Sequence, residues 1–186
     1  MPTTQAALSG SGDAVQARTW PGQVFDTLKA LGLGMAAYVP DGGHAALIQM
    51  MHDDPAIRTV PLTTEEEGVA LLGGAWLGGM RGVLLMQSSG VGNCINMLSL
   101  VKTCRLPFLT LVTMRGEWGE FNPWQVPMGS ATRDAFEMMD VRVLRAERAD
   151  EVRDTVEAAA RLAWLGGTAA AVLLSQRLIG AKVFVK

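Results

Sequence analysis

The chain has 186 residues, 49% of them hydrophobic and only 18% charged, with a formal net charge of −2 and a pI of about 5.7. That length gives one domain with a substantial core, and an acidic balance without basic runs excludes nucleic acid and anionic membrane surfaces as partners. No apolar run reaches the ~18 to 20 residues that span a bilayer, so the apolar excess points to surface covered by a protein partner.

Residues 1–18, MPTTQAALSGSGDAVQAR, carry neither the basic start nor the apolar stretch of a signal peptide. They read as a disordered arm, leaving 19–186 as the single domain of a cytoplasmic protein. A helix is predicted from Pro21 to Leu31, a strand over MAAYV (35–39), and a second helix from Gly43 to Met51. RTVPL (58–62) is the second strand, followed by a helix from Thr64 to Leu77 and a strand over GVLLMQ (82–87). A helix from Gly92 to Thr103 precedes strands at FLTLVTM (108–114) and VRVLR (141–145). The helix from Asp150 to Leu165 takes Asp150 as its cap and sets Val152, Val156, Ala159, Leu162 and Ala163 on one stripe. AAAVLLS (169–175) is the last strand. Several strands are apolar without polar alternation, as in parallel strands covered on both faces. The expected fold is therefore α/β: a three-layer, doubly wound, mainly parallel sheet of the flavodoxin-like kind. Cys94 and Cys104 form no CxxC motif and read as buried free thiols in a reducing compartment.

In such a sheet the functional groups gather in the loops after the carboxyl ends of the strands. Four of these loops are chemically loaded and open on the same edge: PDGGH (40–44), TTEEE (63–67), SSGVGN (88–93) and RGEWGEFNPWQVPMG (115–129). Acid at a helix start complements the helix dipole, and Thr63 with Glu66, or Thr64 with Glu67, has capping-box spacing. Spacing alone therefore does not choose among Glu65, Glu66 and Glu67. The adjoining stretch, GVALLGGAWLGG, is nearly all small or apolar. A helix so smooth packs closely against another chain, and a carboxylate at its head can be held at a dry interface as a proton donor. SSGVGN comes directly after a strand like a phosphate loop but has neither the Walker ending nor GxGxxG. Its glycines are turn formers, or they let the backbone approach a flat ligand with Gln87, Ser88, Ser89 and Asn93 as polar partners. His44 is a candidate substrate contact, whereas His52 sits among acids at a helix end. Neither has metal-ligand spacing, so no metal held by this chain is expected. Arg115 pairs with an anionic substrate or makes a structural salt bridge. Its loop, with Trp118 and Trp124, has the composition of a lid or an interface.

Together, YVPDGG, TEEEGVALLGGAWLGG, LLMQSSGVGN and RGEWGEFNPWQVPMG resemble the thiamine diphosphate-dependent 2-oxoacid decarboxylases, specifically the alpha subunit of sulfopyruvate decarboxylase and the corresponding half of phosphonopyruvate decarboxylase. The resemblance runs from about Trp20 to Leu178. It implies a pyrimidine-binding domain only, because the GDG that marks the diphosphate-binding domain is absent; GSGD at 10–13 lies in the arm. A separate beta subunit carrying GDG and a downstream asparagine would then hold the cofactor's phosphates and Mg2+, in a hetero-oligomer such as α2β2. The chain alone would be inactive. The family glutamate heads a helix of the form E-x-x-(small)-x-x-x-x-x-G, which Glu65 matches with Gly68 and Gly74. By resemblance Glu65 hydrogen-bonds N1′ of the cofactor's aminopyrimidine, favouring the imino tautomer whose 4′ nitrogen takes the thiazolium C2 proton. Asp41, at the family's VPD position, manages protons during aldehyde release. Gln87, Ser89, Gly90 and Asn93 line the cofactor, and His44 and Arg115 remain candidate substrate contacts. The implied substrate is an anionic 3-substituted pyruvate, 3-sulfopyruvate or 3-phosphonopyruvate, which yields the aldehyde and CO2. Two other readings stay open: a non-catalytic regulatory or binding subunit of the same fold, and a flavodoxin-like nucleotide or flavin binder using SSGVGN.

Overall fold

A computed structural model describes residues 19–181; the arm expected over 1–18 and the chain beyond 181 lie outside the described residues. In chain order the elements are α1 (Trp20–Ala30), β1 (Leu33–Tyr38), α2 (Ala45–Asp53), β2 (Arg58–Pro61), α3 (Glu65–Leu77) and β3 (Arg81–Gln87). Then come α4 (Ser88–Cys94), α5 (Leu98–Cys104), β4 (Phe108–Thr113), a 3-10 turn (Pro123–Gln125) and α6 (Val126–Glu137). β5 (Arg142–Ala146), α7 (Ala149–Trp164), β6 (Ala169–Leu174) and α8 (Gln176–Ile179) complete the described chain. The six strands form one sheet in the order β2-β1-β3-β4-β6-β5, with every pairing parallel. All six predicted strands are present.

The sheet is sandwiched between two helical layers, and the strand alternation shows how. In β3, Val83 and Leu85 pack with Val24, Leu28, Leu47, Val152 and Val156 of α1, α2 and α7. Leu84 and Met86 point the other way, into Val69, Leu72, Val91, Leu98 and Phe136 of α3 to α6. Successive side chains of a strand face opposite sides, so a strand buried on both faces must be apolar at every position. That is why β4 and β6 are buried along their whole length. β1 lies next to the edge strand β2 on one side and to β3 on the other. The connections from β1 and β3 therefore diverge, and the crevice outside their carboxyl ends is where such a fold places a site. Among the described residues no helix is long and apolar enough to cross a membrane.

Four helical expectations need correction. The segment SSGVGN is not a loop: residues 88–94 are helical directly after β3, and a turn at 95–97 separates α4 from α5, so the single helix expected from Gly92 to Thr103 is two. Helix α6 takes up the end of what reads as an irregular loop. Its buried face is Gly129, Thr132, Ala135 and Phe136, and a glycine and a threonine there hide the apolar period. Asp150 does not cap α7: the N-cap is Arg148, with no side-chain cap bond, and Asp150 instead pairs with that arginine. Leu162, assigned to the buried stripe, is exposed, as is Cys104, whereas Cys94 is buried as expected.

Candidate active site

Of the three glutamates, Glu65 alone is buried, at 8% exposure; Glu66 is half-buried and Glu67 exposed. The capping boxes are not formed as spaced. Glu67 Oε2 accepts from the Thr63 backbone N–H at 3.0 Å, and Thr64, at the N-cap, makes no side-chain cap bond. Glu65 opens α3 and lies flat against the first turn of α4. Asn93 Nδ2 donates to its Oε2 at 2.8 Å. A Cβ on Gly90 would sit 2.2 Å from Oε1, so only glycine lets the carboxylate lie there. Glu65, Ser89, Gly90, Gly92 and Asn93 form one wall of a hollow of about 840 Å3. Pro123, Trp124, Pro127 and Met128 form the other.

Asp41 comes after β1, across the same edge. Gln87 Nε2 donates to its Oδ1 at 3.1 Å, and the Thr113 hydroxyl, from the end of β4, donates to Oδ2. Ser89 Oγ in turn donates to Gln87 Oε1 at 2.9 Å. Burial pushes the Asp41 carboxyl up, but the Thr113 hydroxyl, the adjacent His44 ring, the Gly43 N–H and the Gln87 carboxamide more than offset it. The net value is below the ordinary carboxylate range, so Asp41 is ionised at neutral pH.

His44 stands at the N-cap of α2 and is wholly buried. Its Nε2 bonds the Leu111 carbonyl at 3.1 Å, and Nδ1 has no hydrogen-bond partner. Burial pushes this imidazole below its usual range, against the pull of Asp41 and of the Leu111 and Met86 carbonyls. The ring is therefore neutral with its proton on Nε2, facing Leu111. With the ring uncharged, the donors from Thr113 and Gln87 are what hold Asp41 ionised. The ring of His44 exposes no surface in this structure. His52 accepts or donates to the Tyr38 hydroxyl at 2.7 Å and to Thr59 Oγ1 at 2.9 Å, tying α2 to β1 and β2.

Arg115 is engaged in the salt bridge that was the alternative to a substrate contact. Its Nε and Nη2 donate to Glu120 at 2.6 Å each, with Arg115 and Glu120 side chains 7% and 4% exposed. One edge of the guanidinium is thus taken, though Arg115 also borders a small cavity of about 130 Å3 with Asp41, Gly43, Thr113 and Gly180. The loop after β4 is not a free lid. Glu120 further accepts from the backbone N–H of Gly116 and Asn122 and from Gln176 Nε2. Gln176 Oε1 accepts from the N–H of Glu117 and Trp118. These bonds hold the Glu120 carboxyl far below the usual range, the Arg115 side-chain bond foremost among them. The loop nevertheless presents apolar surface, with Trp124 at 82% exposure and Trp118 and Phe121 about half exposed.

The structure thus brings Glu65, Ser89, Gly90 and Asn93 together around one hollow, with Asp41 and Gln87 joined to them through Ser89. Sequence reasoning missed Thr113 and Gln176. Thr113 was legible as a polar residue at the carboxyl end of an apolar parallel strand; Gln176 carried no signal, since its role depends on a loop 56 residues distant. Among the described residues no cluster of three His, Cys, Asp or Glu side chains is placed to hold a metal ion.

No protein-family model matches the chain. Over 152 residues it is 36% identical to the sulfopyruvate decarboxylase subunit alpha of Methanothermobacter thermautotrophicus, covering 81% of this chain and 92% of that one. Phosphonopyruvate decarboxylase of Streptomyces viridochromogenes is 39% identical over 116 residues, which is 61% of this chain but 29% of that protein. Among solved structures, a 2-oxoglutarate:ferredoxin oxidoreductase from Magnetococcus marinus superposes with a TM-score of 0.72 over 87% of this chain and 29% of its own, at 16% identity. That likeness establishes the fold. The sequence relatives go further, because one is matched over nearly its full length: the chain belongs to the family of sulfopyruvate decarboxylase alpha subunits.

Proposed function

We infer that this chain is the pyrimidine-binding subunit of a heteromeric thiamine diphosphate-dependent decarboxylase. Its substrate is an anionic 3-substituted pyruvate, 3-sulfopyruvate or 3-phosphonopyruvate, and its products are the aldehyde and CO2. One observation carries the reading: a buried carboxylate, Glu65, is oriented by Asn93 over Gly90 at the wall of a hollow that Ser89, Gly92, Pro123, Trp124, Pro127 and Met128 also line. An apolar wall facing a carboxylate and a few polar side chains suits a flat, nitrogen-containing ring. No lysine or arginine lines this hollow, so it suits the pyrimidine end of the cofactor and not its diphosphate. The phosphates and Mg2+ are assigned to the partner subunit.

Thiamine diphosphate, when bound, supplies the carbon nucleophile and electron sink that loss of CO2 from a 2-oxoacid requires. The chain's own part is to hold protons at stated atoms. Glu65 keeps a proton between its carboxylate and a ring nitrogen of the pyrimidine. Asp41, ionised and braced by Thr113 and Gln87, acts as the acid–base group for product release. The exposed Trp124 and Leu77, at 82% and 79% exposure, suit coverage by the partner, as does Gly74, where an added Cβ would meet nothing within 4 Å. The flavin or nucleotide alternative loses its basis, because the supposed phosphate loop is helix α4 and its polar side chains bond within the protein.

The test mixes this chain with a diphosphate-binding partner carrying GDG and a downstream asparagine, then monitors aldehyde and CO2 release from 3-sulfopyruvate, 3-phosphonopyruvate and pyruvate. Turnover that needs both chains and added thiamine diphosphate, and that favours an anionic 3-substituent, is expected. Cofactor-independent turnover, or tight binding of flavin by the isolated chain, would overturn the reading.

A further inference from the structure

Residues 87–93 hold both candidate carboxylates, each through its own carboxamide. We propose that this segment is a double clamp in which Gln87 positions Asp41, Asn93 positions Glu65, and helix α4 sets the separation between the two acids. The inference deepens the functional reading above and, for its catalytic consequence, rests on it. Gln87 precedes α4 and Asn93 lies in its final turn, so about 9 Å of helical rise separates the two residues' backbones. Val91 and Cys94 anchor the helix in the core at 0% exposure, and Cys94 Sγ donates to the Gly90 carbonyl at 3.6 Å. The element carrying both donors is thus itself fixed.

The chemistry of its partner decides which way the Gln87 amide faces. Asp41 is ionised and only accepts, so Gln87 must turn its NH2 toward it. At Gln87 the carboxylate sets the choice: Nε2 donates to Asp41 Oδ1 at 3.1 Å, which leaves Oε1 to accept from the Ser89 hydroxyl at 2.9 Å. Asn93 Nδ2 donates to Glu65 Oε2 at 2.8 Å, and Gly90 keeps the space beside Oε1 open. Gln87 and Asn93 are therefore positioning residues, acting through Asp41 and Glu65, and Ser89 supports the first of them.

The test has a structural and a kinetic arm. In the full chain, 15N-resolved carboxamide signals of Gln87 and Asn93 are compared among wild type, Asp41→Asn, Glu65→Gln and Ser89→Ala. The clamp predicts that Asp41→Asn and Ser89→Ala move only the Gln87 pair, and Glu65→Gln only the Asn93 pair. Signals that move together, or not at all, overturn it. With the partner present, Gln87→Met and Asn93→Ala should each lower kcat by about ten- to a hundredfold at nearly unchanged KM. Only Gln87→Met should shift the acid limb of the pH–rate profile, toward higher pH, because it removes a donor that keeps Asp41 ionised. Identical profiles for the two variants would show merely structural damage and overturn the paired assignment. The arms also separate this proposal from the functional reading: the carboxamide pattern supports the clamp even if the mixed chains prove independent of thiamine diphosphate.

Discussion

Gly90→Ala is a sharp probe of the site because its effects on stability and activity diverge. The new methyl would lie 2.2 Å from Glu65 Oε1, 2.3 Å from Cδ and 2.6 Å from Cγ. Restoring ordinary contact requires the carboxylate to withdraw by about 1 Å. Alanine in a helix is favoured over glycine by about 1 kcal/mol, whereas losing the charge-assisted bond from Asn93 costs about 1.5–3 kcal/mol. The two partly offset, so the folded chain should lose about 0.5–2 kcal/mol and Tm should fall by only a few degrees. A 1 Å displacement of a group that must meet a reacting ring costs about 10²-fold in rate. The assay pairs thermal denaturation of the chain with decarboxylase turnover in the presence of the partner. A variant that folds and turns over within a few-fold of wild type would refute the claim that Glu65 acts from this position.

The same geometry leads to three other outcomes. Glu120→Ala leaves the buried Arg115 guanidinium without its carboxylate and should cost about 3–5 kcal/mol, lowering Tm by about 10 °C in a thermal melt. Asp41 lies below its unfolded value in the folded chain, so its ionisation adds stability above that unfolded value, lost as pH falls through the folded one. Thr113→Val removes a donor and raises the folded value, so the acid-unfolding midpoint read by circular dichroism should move to higher pH, and Thr113→Ser should restore it. Burial, with Glu65 and Glu66 nearby, pushes the Cys94 thiol up to about 12, while Cys104 is exposed. Thiol labelling of the native chain at pH 8 should therefore modify Cys104 promptly and Cys94 only on unfolding.

The strands were legible because burial on both faces leaves an unbroken apolar run, a signal that needs no tertiary context. Helices were less so where tertiary contact overrides local pattern. Helix α4 contains Gly90 and Gly92, which read as loop residues, yet Gly90 is there because Glu65 occupies the space a side chain would need. The start of α6 does carry a signal, Pro127 in its first turn, but Gly129 and Thr132 on the buried face mask the period. Choosing Glu65 among three consecutive acids needed the register of Gly68 and Gly74. The structure shows a physical counterpart at Gly68, where an added Cβ would meet Leu84 Cδ1 at 2.5 Å, so α3 sits hard against the sheet with Glu65 turned inward. What could not be read was which groups Arg115 and His44 would meet. Their partners, Glu120 and the Leu111 carbonyl, are fixed by how a loop closes and how deep a ring sinks, neither of which leaves a mark in spacing.

The most direct measurement is turnover of 3-sulfopyruvate by the chain mixed with its partner, wild type against Glu65→Gln, at saturating thiamine diphosphate and Mg2+. The amide retains the size of the side chain but cannot hold the proton, so turnover should fall by about 10²–10⁴-fold while the two chains still co-elute. Equal turnover by both proteins would contradict the account.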